Sequence, residues 1–287
     1  MHPARAIPCL IGIALLGSLD LGAQAQPGNQ QPGESPSTET PAPTPASPWA
    51  GTVELYGFAP IRTTGTTTIN GFSTDTDLSL GDVLSKLKWA TSIRGSLENE
   101  RIGLLTDLSY VKLGQYNATQ RRLLSGQAEV TGVQGIYDLA LRYRFGNRET
   151  AVGQPGQFSV IPYAGIRIID AQLDVSAQVD ERKFISFQRQ GSFGRTWVQP
   201  LIGTQATVFL SPRLRAFARA DIGGFNLSGS DDLSGNAQLG LGYAIGNSTD
   251  LNISWRYLGL NYNNGETPDS GFSSYQNGVE IGLKFFF

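Results

Sequence analysis

Arg215, Arg219 and Asp221 recur every second or fourth residue, with Phe217 in step, and Leu214, Ala216, Ala218, Ala220 and Ile222 fill the alternate positions. Residues two apart on an extended chain share a face. This stretch therefore carries guanidinium and carboxylate groups on one side and an aliphatic stripe on the other. Such a charged face can do two kinds of work. Opposite charges can pair and brace a confined interior, or cations on one wall and carboxylates on another can select ions at a constriction.

The same alternation assigns further charges to that inner face: Glu54, Arg94, Glu98, Asp107, Asp138, Arg142, Arg144, Arg167, Arg256, Glu280 and Lys284. A charge on the lipid face of a membrane barrel costs about 2–4 kcal/mol at the midplane, which fixes their direction inward. Both signs are present in similar number, so bracing by ion pairs is the expected use and an ion-selective constriction the alternative.

Other chemistry is poorly supplied. The single histidine is His2 and the single cysteine Cys9. Both fall in residues 1–25, where Arg5, an apolar run through Leu15 and Leu16, and the ending Ala23-Gln24-Ala25 read as a cleaved secretory signal. Cys9 precedes the apolar core, which argues against lipidation. What remains has neither thiol nor imidazole, which excludes disulfides and thiol chemistry and weighs heavily against common kinds of catalysis and metal binding.

Ser85 and Lys88 have Ser-x-x-Lys spacing without its companion motifs and are read as coincidence. Gly240, Gly242 and Gly246 lie in an alternating segment and give room inside a wall instead of cradling phosphate. Asp75, Asp77, Asp231 and Asp232 lack a calcium-loop signature and read as solvated external residues. No cofactor or metal is expected. With a formal net charge of −2 and no basic stripe, neither is nucleic acid.

The elements that position the charges are strands. Residues 26–50 are rich in Pro, Gln, Ser and Thr and are read as a disordered periplasmic tether. Residues 51–287 form the barrel. The expected class is all-β: a transmembrane antiparallel up-and-down β-barrel of about ten strands, eight or twelve being the alternatives. The strands fall near 52–62, 89–98, 102–113, 130–145, 158–175, 193–210, 214–227, 236–245, 251–262 and 275–287. Connections 63–88, 114–129 and 176–192 are long and read as external loops, whereas those near 99, 211 and 247 are tight. In the first long connection, Leu80, Val83, Leu84 and Leu87 fall at helical spacing behind a Ser79/Asp82 capping box. That is a short helix, either plugging the mouth or lying on the rim.

The outward stripe of the last strand is Tyr275, Val279, Ile281, Leu283, Phe285 and Phe287. Outward aromatic girdles are expected from Trp89, Tyr110, Trp197, Trp255, Tyr257 and Tyr275 at one interface and Phe145, Phe158, Tyr243, Phe285 and Phe287 at the other.

The tail Gly282-Leu283-Lys284-Phe285-Phe286-Phe287 resembles the C-terminal assembly signal of Gram-negative outer-membrane proteins. The segments 53–60, 79–84, 103–110, 221–225 and 255–258, in that order, resemble a family of uncharacterised outer-membrane β-barrels loosely related to opacity-type porins. The resemblance implies a place in the cell outer membrane and partners in its lipids, periplasmic chaperones and the barrel-assembly machinery. It transfers no substrate or catalytic residue. Outer-membrane proteases, phospholipases and lipid A acyl-modifying barrels resemble one another in relying on a catalytic histidine, so an enzyme is a remote alternative resting on carboxylates alone. The expected function is a non-enzymatic narrow porin-like channel, passing small hydrophilic solutes or ions, or a structural membrane protein. A surface adhesion or ligand-interaction protein with a closed lumen is the alternative. A secreted lipocalin-like barrel is disfavoured because charges occupy the inner face.

Overall fold

The computed structural model describes residues 47–69, 71–121, 124–181 and 185–287. The expected signal and most of the tether lie outside them. The strands are β1 (Trp49–Ile69), β2 (Phe72–Ser79), β3 (Leu87–Asn99), β4 (Ile102–Arg121), β5 (Leu124–Tyr143), β6 (Phe145–Gly146), β7 (Phe158–Glu181), β8 (Ile185–Phe209), β9 (Leu214–Gly223), β10 (Asp231–Ala244), β11 (Thr249–Asn263) and β12 (Gly271–Phe286). Helix α1 (Leu80–Lys86) separates β2 from β3.

Ten of these strands close an antiparallel ring in which sequence neighbours pair and β12 returns to β1. The closing seam runs from Thr52↔Phe286 to Thr68↔Gly271. Gly51 and Phe287 extend it by exchanging backbone hydrogen bonds of 2.7 and 3.0 Å. Closure leaves no strand edge inside the ring, which is what lets a sheet cross hydrocarbon. Pro60 sits at the seam's one irregularity, between Pro60 and Arg62, where a missing N–H costs least.

The ring is therefore ten-stranded, and the alternatives of eight and twelve fall away. Several boundaries move. β1 begins at Trp49, inside the stretch read as tether. The connection 63–88 is not a loop: β1 continues to Ile69 and folds back as β2, pairing Arg62↔Ser79 through Ile69↔Phe72. The supposed loops 114–129 and 176–192 are mostly strand, as β4 with β5 and β7 with β8 run on to Arg121↔Leu124 and Glu181↔Ile185. A tilted strand needs about 9–11 residues to span a bilayer, so strands of 20 to 25 residues stand well clear of it. β9, with 10 residues, does not. The external rim is high along β4, β5, β7 and β8 and low at β9.

The capping box starts α1 as the spacing predicts. Ser79 N–H donates to Asp82 Oδ2 at 3.0 Å and Asp82 N–H to Ser79 Oγ at 3.3 Å. The Ser79 side-chain and backbone bonds hold the Asp82 carboxyl below its ordinary range. The helix buries Val83, leaves Leu84 exposed, and packs against β1, β2 and β4 on the rim.

Outward positions between the ends are apolar: Leu55, Leu97, Leu104, Leu139, Leu141, Ile202, Leu239, Leu241, Ile253 and Ile281 are all exposed. Exposed apolar surface on this scale marks a membrane-facing belt, not a soluble protein. Trp89, Trp255, Tyr257 and Tyr275 are outward, as are Phe145, Phe158, Tyr243, Phe285 and Phe287. Trp197 is the exception. It is buried and points inward with Gln199 and Leu201, because the inward parity of β8 is odd.

Leu239 lies outward in mid-strand, opposite Ala218 and Trp255. Leu239→Arg should lower the unfolding free energy by about 2–4 kcal/mol, measured by urea titration of protein refolded into vesicles.

Candidate functional site

Because every strand contributes alternate residues to the interior, side chains from all ten meet there in layers. At mid-height is a belt of ion pairs. Arg219 on β9 reaches across the lumen to Asp107 on β4 at 2.6 Å and lies 3.6 Å from Asp138 on β5. Arg94 on β3 holds the same Asp107 oxygen at 2.9 Å, Glu54 at 3.2 Å and Glu280 at 3.3 Å. Arg167 on β7 grips both oxygens of Asp138, at 2.7 and 2.8 Å, and donates to Asp221 at 2.8 Å. Arg256 on β11 pairs with Glu280 at 2.7 Å and donates to Asn236 at 2.8 Å, which donates on to Asp221 at 2.9 Å.

Two tyrosines complete the belt. Tyr56 donates to Asp107 at 2.6 Å, with the Arg94 and Arg256 guanidiniums 4.5 and 5.7 Å from its ring centroid. Tyr163 donates to Asp221 and accepts from Arg219. Buried charges persist only when paired and fully hydrogen-bonded. Each belt guanidinium meets carboxylates from more than one strand or adds a neutral acceptor.

Nearer the chain ends, Arg215 pairs with Asp250 at 2.6 Å and donates to Asn252, which donates to Glu54. The neighbouring floor is built by the turn after β6. That turn folds inward and puts Glu149 against Lys284 at 2.9 Å and Arg142 at 2.8 Å, with Gln205 also donating to it. Arg142 and Arg144 share Glu98 at 3.1 and 2.9 Å. Burial pushes the Glu149 carboxyl up, but Lys284 and Arg142 outweigh it and hold the group well below the usual carboxylate range.

Between belt and floor is a cavity of about 40 Å³, bordered by Glu54, Arg94, Glu149, Arg219, Asn252 and Lys284. That is room for about three waters. Beside it, Leu105, Ala140, Tyr163 and Leu201 pack together. Gly240 and Gly242 stand on the inward face of β10, where a Cβ would strike Phe217 and Arg215. Their absent side chains are what admits those groups.

On the other side of the belt the interior turns apolar. Ile136, Ile169, Ala171, Trp197, Leu258, Leu260 and Tyr262 form a buried cluster, with Ile69, Leu173 and Phe272 packed against it. The Trp197 ring lies 4.6 Å from that of Tyr262, and its indole N–H donates to Asp232 at 3.1 Å. Asp232 also accepts from Gln199 and from the Ser228 N–H. The expectation that charges occupy the inner face thus holds for only part of its height, so charge parity alone does not argue against an apolar-lined barrel.

All fourteen charged residues assigned inward from the sequence face the lumen: Glu54, Arg94, Glu98, Asp107, Asp138, Arg142, Arg144, Arg167, Arg215, Arg219, Asp221, Arg256, Glu280 and Lys284. Sequence reasoning missed Glu149, which sits in a turn without parity, and the neutral partners Tyr56, Tyr163, Asn236 and Asn252. Asp250 was passed over as a turn residue although its even position on β11 matches Arg256. Asp75 and Asp77 are engaged by Thr66 and Arg62, and Asp232 is interior instead of external. Ser85 donates to the Asp82 carbonyl, whereas Lys88 lies along β4 beside Gly114.

No protein-family model matches the chain, and no curated protein matches it by sequence. Solved structures do. The chain is similar to the outer membrane protease OmpT of Escherichia coli, at 12% identity over 88% of this chain and 100% of that one, with a TM-score of 0.50. It also matches neisserial surface protein A at 13% identity over 83% and 97%, with a TM-score of 0.25. A third match is Ail of Yersinia pestis, at 10% identity over 83% and 98%, with a TM-score of 0.26. At 12% identity the likeness to OmpT is one of fold. The chain has the Gram-negative outer-membrane β-barrel fold.

Arg219→Met should destabilise the protein by about 3–5 kcal/mol in denaturant titrations, because Asp107 loses one of its two guanidiniums inside the wall. Glu149 has a depressed folded-state value, so its stabilisation is complete above the ordinary value of 4.5 and is lost as pH falls through the folded value. Wild type should therefore lose stability relative to Glu149→Gln as pH drops below about 4.5, read from unfolding midpoints across that range.

Proposed function

We propose that this is an integral outer-membrane barrel with a closed lumen, whose work is done at its lipid-facing and external surfaces and not by passing solutes. The single observation that carries this reading is the bridge from Arg219 to Asp107 across the interior. A continuous pore needs water along its whole axis, and here a belt of paired charges, an inserted turn and an apolar cluster follow one another along it. Of the two uses open for the lumen charges, bracing is the one this geometry supports. A constriction that selects ions would leave part of its charge facing water.

An enzymatic role finds little support. The belt carboxylates that a histidine-free hydrolase would need are each bonded to arginine or tyrosine, out of reach of a substrate. Protease activity belongs to the OmpT structure matched by fold, and this chain's only histidine is His2.

The outward stripe of Tyr275, Val279, Ile281, Leu283, Phe285 and Phe287 ends in a terminal aromatic and suits recognition by the barrel-assembly machinery. The tall wall of β4, β5, β7 and β8 suits contact with partners outside the cell. Planar bilayers containing the refolded protein should stay electrically silent between ±100 mV, a range that applies only about 2.3 kcal/mol per elementary charge. Discrete, reproducible conductance steps from wild-type protein that vanish or change in Arg219→Ala would overturn the closed-lumen reading.

A further inference from the structure

Two cations of the outer face stand outside the pairing that governs the lumen. Lys88 and Lys112 are exposed on the outer face, and among the described residues neither has an ion-pair or hydrogen-bond partner. The β3–β4 register brings them together. Trp89 lies opposite Lys112, and the bulge between Leu87 and Trp89 turns Lys88 onto the same side. The Lys88 stem runs beside Gly114, two residues beyond Lys112, so close that a Cβ there would meet Lys88 Cε at 3.1 Å.

Aromatic groups frame the pair on its membrane side. Trp89 is 61% exposed. Tyr110 stands below Lys112 on the same face, and Tyr137 on β5 lies over Gly135, which is Tyr110's partner in register. The carboxylates on this rim accept hydrogen bonds from other groups: Asp77 from Arg62, Asp82 from Ser79, and Asp170, on β7 opposite Gly135 in register, from Gln172 and Thr196.

Height above the membrane floor selects the partner. Ile102 begins the outward apolar stripe of β4 at one boundary, and Lys112 lies ten residues along the same strand. At about 3.4 Å per residue and a tilt near 40°, that separation is about 25 Å across the bilayer, the height of a barrel's apolar band. The two ammonium groups therefore stand where the hydrocarbon ends and lipid headgroups begin. Free cations above an aromatic girdle at this level complement anionic headgroups.

We propose that Lys88 and Lys112, framed by Trp89, Tyr110 and Tyr137, form a docking site for the phosphates of an outer-leaflet glycolipid. The aromatic rings pack on its acyl and sugar portion while the lysines neutralise its charge. This inference rests on the outer-membrane reading above.

Native mass spectrometry of the folded protein in detergent tests it, with diphosphoryl lipid A and its dephosphorylated counterpart as the two probes. Wild type should bind the phosphorylated lipid more tightly. Lys88→Gln with Lys112→Gln should weaken that binding by about tenfold or more, to the level of the dephosphorylated lipid. Arg101→Gln, an exposed cation at the opposite end, should change nothing. Equal binding of the two lipids, or an unaffected double variant, overturns the site. So does full competition by millimolar inorganic phosphate, which would mark a free-anion site. A heat-dependent gel shift, run in parallel on each variant, reports whether the barrel itself has formed, so failure of the membrane reading is seen separately from failure of the lipid site.

Discussion

Most charges inside this barrel lie opposite another, and the bridge from Arg219 to Asp107 is where that pairing ties the two walls together. Moving an unpaired ion from water into a packed interior costs several kcal/mol even after relaxation. A pair restricted to neighbouring strands would satisfy the charges but leave the walls independent. Arg219 instead joins strands far apart around the ring, and Asp107 accepts from Arg94 and Arg219 at once. The belt's geometry thus depends on every strand holding its register. A slip of one residue would turn Arg219 outward into lipid and leave Asp107 short of a partner inside.

The layers on either side follow from the same constraint. Toward the chain ends, the turn after β6 enters the lumen and supplies Glu149, because Lys284 and Arg142 face the interior there and need a carboxylate. Toward the external rim, the interior keeps Asp232, held by neutral donors from Trp197, Gln199 and Ser228, and closes by packing Trp197, Tyr262 and their aliphatic neighbours. A barrel filled in this way behaves like a folded core wrapped in its own membrane-facing wall. The free lysines by Trp89 and the tall four-stranded wall lie outside that core.

Much of this was legible along the chain. Alternation in segments such as Leu214 to Ile222 exposes membrane wall and lumen face together, since a strand has a period of two and charge is barred from lipid. The Ser79/Asp82 box marked α1 because capping is local. The rims were less legible: residues 114–121 and 188–192 lack the apolar half of the alternation, since strands beyond the bilayer need no lipid-facing stripe, and their polarity reads as loop. Trp197 was assigned to the outward parity, whereas it shares the inward face of β8 with Gln199 and Leu201.

The sequence by itself determined the architecture and the direction of each strand's charges, because these follow from period and the cost of charge in hydrocarbon. Only the tertiary structure decided which charge meets which. Ring closure sets the stagger between strands, and that stagger brings Arg219 to Asp107, Lys284 to Glu149 and Lys88 beside Lys112. Pairings of this kind depend on relative heights around a closed cylinder, a quantity that no single strand encodes.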